Sequence, residues 1–215
     1  MKDKYDLSLR ESMFLAKKLL VDSIYNSARM EDCNIEFADV QTMIDDVSVA
    51  DLKIEDVEGV LGIRDAWKYV LNSINDLLNL EYICRINSLI SRNENGILGA
   101  SQKDKRNEKL DSILLNNSSA TEKAIELFLW SCRYKLFDSY NKSTGLIIAN
   151  KLLISEGKGL LIIKEKNLKK FNKLLVESYK SKNCSEISNF LHKKCIYGLE
   201  IDRKLKQKYK ENKFE

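Results

Sequence analysis

Not one proline interrupts the 215 residues, and only 8 are glycine. Proline removes a helix hydrogen bond and clashes with the preceding turn, while glycine costs about 1 kcal/mol in a helix interior. Their scarcity leaves long stretches, rich in Leu, Ile, Lys, Glu and Asn, in which apolar residues recur every three or four positions. The chain is therefore expected to be all-α. With 44% hydrophobic residues it can bury one sizeable core, and no linker or internal repeat divides it, so a single domain over residues 1–215 is expected.

Periodicity places the helices. The first should run from about Leu7 to about Arg29, where Leu9, Met13, Ala16, Leu20, Ile24 and Ser27 share a face and Ser27 points inward near the end. A shorter helix fits Phe37 to Ile44, a longer one Ile54 to Ile74, and another Leu80 to Ser91. Regularity lapses from Asn93 to Asn117, where Ile97 and Leu98 between Gly96 and Gly99 suggest a small extended piece and residues 104–115 a short helix. Thr121 to Cys132 and Ile147 to Ile154 read as helix, Gly157 and Gly159 as a release, and Leu160 to Ile163 as briefly extended. Two helices, carrying Leu168 to Tyr179 and Ile187 to Ile196, close the fold.

Charge and cysteine usage narrow the function classes. The net charge of +4 conceals an acidic block at residues 31–65 and a basic one at residues 158–215, which either face each other or serve different partners. The final run RKLKQKYKENKFE has no aromatic platform, so a nucleic-acid partner is not expected. Five scattered cysteines without a CxxC pair give neither a disulfide framework nor a zinc site; they suit buried positions in a reducing cytoplasm. No stretch is long and apolar enough for a membrane span. His192, the single histidine, lacks an assigned partner and reads as structural.

The segment KLFDSYNKSTGLIIAN, residues 135–150, lies between two helices. A helix that starts after a tight turn offers unpaired amides and a positive dipole end, so this start can bind an anion. Leu136, Phe137, Asn141, Lys142 and Thr144, with the preceding SATEKAIELFLWSCR, the following IIANKLLISEGKG and the early SARMEDCNIEFADVQTMI, resemble the Fic (Fido) domain family, whose loop pattern is HxFx(D/E)GNxR. The resemblance covers nearly the whole chain. It implies a helical bundle, with inhibitory-helix-like helices in residues 1–50, motif helices in residues 119–163, and a very short β-hairpin flap near Gly96 to Gly99.

In that family the full motif transfers AMP from ATP to hydroxyl side chains of target proteins. The resemblance puts Lys135 at the position of the base histidine and Ser139 at the magnesium carboxylate, with Asp138 beside it. A lysine is protonated at neutral pH and a serine is a poor magnesium ligand. Tyr140 replaces a glycine, so the phosphate cup is expected to be filled or reshaped; Ser143 and Leu146 replace two arginines. Asn141, Lys142, Ser143 and Thr144 remain as candidate phosphate-binding residues. Ser27 and Glu31 match the (S/T)xxxE core of the inhibitory helix, as a retained packing pair or as a helix end followed by surface charge. With Leu146 facing Glu31, no arginine latch is expected. The resemblance thus implies a Fic-like protein that has lost AMP transfer and acts as a binding or regulatory module for a protein partner, with no confident catalytic residue and no metal site. The alternative is a nucleotidyl or phosphate-group transferase with an atypical motif, using ATP and magnesium.

Overall fold

The computed structural model describes residues 1–93 and 103–199. They form ten helices and one two-stranded sheet. In order come α1 (Leu9–Lys18), α2 (Leu20–Met30), α3 (Phe37–Ile44), α4 (Ile54–Asn72), α5 (Leu80–Ser91), α6 (Lys103–Leu114), α7 (Ala120–Tyr134) and α8 (Asn141–Ser155). Then follow β1 (Leu160–Leu161), α9 (Glu165–Ser181), α10 (Ser185–Cys195) and β2 (Ile196–Tyr197). The all-α expectation holds. The flap expected at Gly96 to Gly99 and the basic run at residues 203–215 lie outside the described residues.

Side-chain caps set several boundaries. Ser8 and Glu11 form a reciprocal capping box at α1, Asn79 accepts from the Tyr82 amide at α5, and Ser119 accepts from the Glu122 amide at α7. The single first helix expected from the sequence is two, joined at Leu19 (φ −102°, ψ 16°). The Ser23 hydroxyl donates to the Leu19 carbonyl at 2.8 Å. Such back-bonding one turn earlier bends helices, which accounts for the joint.

α8 is the axis of the molecule. Every residue from Ser143 to Lys151 is buried, a pattern of a helix surrounded by others. Ile147, Ile148 and Ile154 pack with Ile24, Ile63, Trp67 and Ile86 in one apolar cluster. Leu146, Ala149 and Leu153 pack with Phe128, Phe171 and Leu191 in a second. The polar members are satisfied: the Asn150 amide brackets the Leu161 backbone, accepting at 2.7 Å and donating at 2.9 Å. The Lys151 ammonium donates to the Ile74 and Asp76 carbonyls and lies over the Tyr82 ring. β1 pairs antiparallel with β2, Leu160 opposite Tyr197 and Leu161 opposite Ile196, and so ties the end of α8 to the end of α10.

Candidate functional site

The turn from α7 to α8 is bracketed by two left-handed residues, Lys135 (φ 42°) and Tyr140 (φ 56°). For residues other than glycine this conformation costs about 1 kcal/mol or more each, so the turn must be held by other contacts. Leu136 and Phe137 supply one set, buried at 1% and 2% exposure. Asn141 supplies the other: its side-chain carbonyl accepts from the Phe137 amide at 2.9 Å and its NH2 donates to the Phe137 carbonyl at 2.7 Å. Asn87 of α5 completes the clamp by donating to the Ser139 carbonyl and the Thr144 hydroxyl, each at 3.0 Å.

This clamp starts α8 at Asn141, five residues before its apolar run begins at Leu146. The amides of its first turn face Glu31, one residue past the end of α2. The Glu31 carboxylate accepts from the Ser143 amide at 2.7 Å, and its second oxygen lies 3.8 Å from the Lys142 ammonium, which also donates to the Met30 carbonyl. Burial raises the Glu31 pKa above the usual carboxyl range, against the opposing pull of Lys142 and the Ser143 amide. An anion seat at a helix N-terminus is thus taken by a carboxylate of the same chain. Ser27 stands one turn earlier on α2, fully buried, its carbonyl 3.4 Å from the Ser143 hydroxyl.

Outside the seat opens a cleft of about 450 Å³, lined by Lys135, Asp138, Lys142 and, from α9, Asn172, Val176 and Tyr179. The Tyr179 hydroxyl donates to the Cys132 carbonyl at 2.9 Å, closing the cleft floor. Burial holds the Cys132 thiol well above its ordinary pKa, so it is no nucleophile. Among the described residues no group of three or more His, Cys, Asp or Glu side chains is placed to hold a metal ion.

No protein-family model matches this chain, and no curated protein does. Solved structures do. Fic-1 from C. elegans aligns with a TM-score of 0.68 at 11% identity, covering 83% of this chain and 60% of that one. A Fic-1 variant with one glutamate replaced by glycine gives 0.72 at 10% identity, over 82% and 60%. A Fic-domain-containing signaling protein from Bacteroides thetaiotaomicron VPI-5482 gives 0.69 at 14% identity, over 85% and 80%. The chain has the Fic fold. It spans only 60% of the length of the two Fic-1 chains.

Within the Fic fold, the residues aligned with the family's loop pattern come together at the α7–α8 turn, and Ser27 and Glu31 come beside them across more than a hundred residues of sequence. Several expectations change. Glu31 meets the Ser143 amide and Lys142, while Leu146 is buried in the second apolar cluster. Ser143 and Thr144 are fully buried, and their hydroxyls face Ser27 and Asn87. The Asn141 amide is consumed by Phe137. Tyr140 lines the cleft, and its ring packs toward α4, where a Cβ on Gly59 would sit 3.2 Å from its hydroxyl and 3.2 Å from Cys33 Sγ. His192 lies apart from the site, its Nε2 2.8 Å from the Lys2 carbonyl. Two residues that matter here escaped the sequence reading, Asn87 and Ser131. Asn87 recurs on the apolar face of α5, and a polar residue on an apolar stripe was the signal for it. Ser131, whose hydroxyl donates to the Asn141 carbonyl at 2.8 Å, gave none.

Proposed function

We propose that this Fic-fold protein does not transfer AMP and serves as a binding or regulatory module for a protein partner, its motif loop kept as scaffold. The observation that carries this reading is the Glu31 carboxylate on the first turn of α8, where the family's motif would receive phosphate. A nucleotide phosphate would meet a buried like charge, and displacing Glu31 would leave Lys142 and the Ser143 amide to be satisfied anew. The chemistry of the surrounding donors agrees. Lys135 stands where the family has its base and Ser139 where it has its carboxylate, while the Asn141 and Ser143 side chains donate within the chain, to Phe137 and Ser27, and Ser143 and Thr144 are fully buried. In this arrangement the residues do not fit ATP with magnesium.

The expected partner is a protein because the cleft beside the seat is rimmed by a mixture of Lys135, Asp138, Asn172 and the partly exposed Tyr179, a surface suited to a polypeptide. A melting curve with millimolar ATP and magnesium should match the curve without them, since a ligand in excess over its Kd raises Tm. Incubation of the protein with labelled ATP, and with other labelled nucleotides, should leave the protein and lysate proteins unlabelled. Transfer of label in either assay would replace this reading with the transferase.

A further inference from the structure

α9 buries Phe171, Leu174, Leu175 and Ser178 and turns Lys166, Lys169, Lys173 and Lys180 outward at the three- and four-residue spacing of one helix face. Lys173 has Glu177 at 3.8 Å, but among the described residues no carboxylate pairs with Lys166, Lys169 or Lys180. Val176 lies on the same face, between Lys173 and Lys180, and is half exposed. A second surface has the opposite sign. The loop from α3 to α4 and the first turns of α4 expose Asp45, Asp51, Glu55 and Glu58 with Lys53 as the one base in residues 45–58. None of those four carboxylates pairs with a cation among the described residues, and Val47 and Ile54 stand among them 55% and 72% exposed.

The two surfaces do not neutralise each other within the molecule: no ion pair among the described residues joins the acidic block to a lysine of α9. Both adjoin α2, whose Tyr25 donates its hydroxyl to Glu165 at the start of α9 (2.7 Å) and sets its ring edge-on to Phe37 at the start of α3 (5.5 Å).

We propose that the α9 lysine face and the α3–α4 acidic surface are the two halves of a self-association interface, each copy's lysines meeting the other copy's carboxylates around Val176, Val47 and Ile54. Each half presents a few apolar atoms ringed by charge of one sign, the pattern of an interface whose rim steers and whose centre excludes water. A second copy fits better than a foreign protein because the same chain supplies both signs and both apolar points. Reciprocal pairing also closes the assembly at two copies. It stands independently of whether nucleotide binds.

Sedimentation equilibrium of the full chain tests this. In low salt the protein should dimerise, and raising NaCl to about 0.5 M should weaken the dimer tenfold or more, since exposed charges are screened over a few ångströms there. Lys166→Glu with Lys169→Glu and Lys173→Glu should be monomeric in low salt, and so should Asp51→Lys with Glu55→Lys and Glu58→Lys. An equimolar mixture of the two variants should pair again. Circular dichroism checks that each folds, and Lys169→Gln with Lys173→Gln, a milder change, should weaken the dimer severalfold. A wild-type monomer in low salt would overturn the proposal and leave the surfaces to solvent or a foreign partner. Dimers indifferent to salt, or a mixture that stays monomeric, would overturn it as well.

Discussion

Glu31 sits where a small change of proton number alters the whole site. Its carboxyl is raised above the ordinary range because burial outweighs Lys142 and the Ser143 amide. The folded protein therefore keeps a proton on Glu31 at pH values where the unfolded chain has released it. Linkage then requires stability from this group to be present at low pH and to decline as pH rises from the ordinary carboxyl value through the folded one. Glu31→Gln keeps an acceptor for the Ser143 amide and removes the charge, so it should abolish that decline. Melting curves of both proteins between about pH 4 and pH 8 should show the wild type losing ground to the variant across that window and running parallel above it. Parallel curves throughout would mean that Glu31 is solvated and the seat open. Glu31→Ala, which strands the amide and Lys142, should cost about 1 kcal/mol at neutral pH. None of this pairing was legible locally, because Glu31 and Ser143 are 112 residues apart. The motif letters identified the turn and the resemblance placed Glu31 nearby, but which atom the carboxylate meets depends on where α2 ends.

At the scale of elements, periodicity located helices whose one face is wet and missed boundaries where that signal is absent. α4 and α5 were legible because polar and apolar sides alternate. α8 was not recognised before Ile147, since a helix buried all round carries no amphipathic period and its first turns are polar. Periodicity put the start of α1 at about Leu7, two residues before the start that the Ser8 and Glu11 capping box sets at Leu9. Gly62 and Gly145, inside helices, are points of close approach. A Cβ on Gly62 of α4 would lie 2.3 Å from the Ile90 carbonyl oxygen of α5, and one on Gly145 of α8 would lie 2.7 Å from Ser131 Cβ of α7. Gly62→Ala should therefore force α4 and α5 apart and cost about 1–3 kcal/mol despite the better helix propensity of alanine. Gly59→Ala on the same helix meets only the Cys33 sulfur and the Tyr140 hydroxyl, each at 3.2 Å, and should cost much less. Urea denaturation of the two variants gives the comparison, and equal costs would remove close approach as the reason for Gly62.

For the molecule as a whole, what was legible was class and outline: all-α from the missing proline and a Fic-like bundle from the loop and its flanks. The partition of the core was not, because two apolar clusters on opposite sides of α8 look alike in composition. That partition makes α8 the element on which cooperativity depends. Ile148 packs into the first cluster with no exposed surface, while Leu153, also fully buried, packs into the second. Truncating either to alanine should cost about 2–5 kcal/mol, the usual range for a large buried aliphatic. If the two clusters unfold as one unit through their shared helix, each variant should show a single transition with an unchanged denaturant slope, and amide hydrogens along α8 should exchange only through global unfolding. A biphasic transition in Leu153→Ala but not in Ile148→Ala would show instead that the α9–α10 side opens by itself. In that case the Glu31 seat, which α2 and α8 build together, should stay intact in the partly opened state, and its Ser143 amide should remain protected from exchange while amides of α9 and α10 do not.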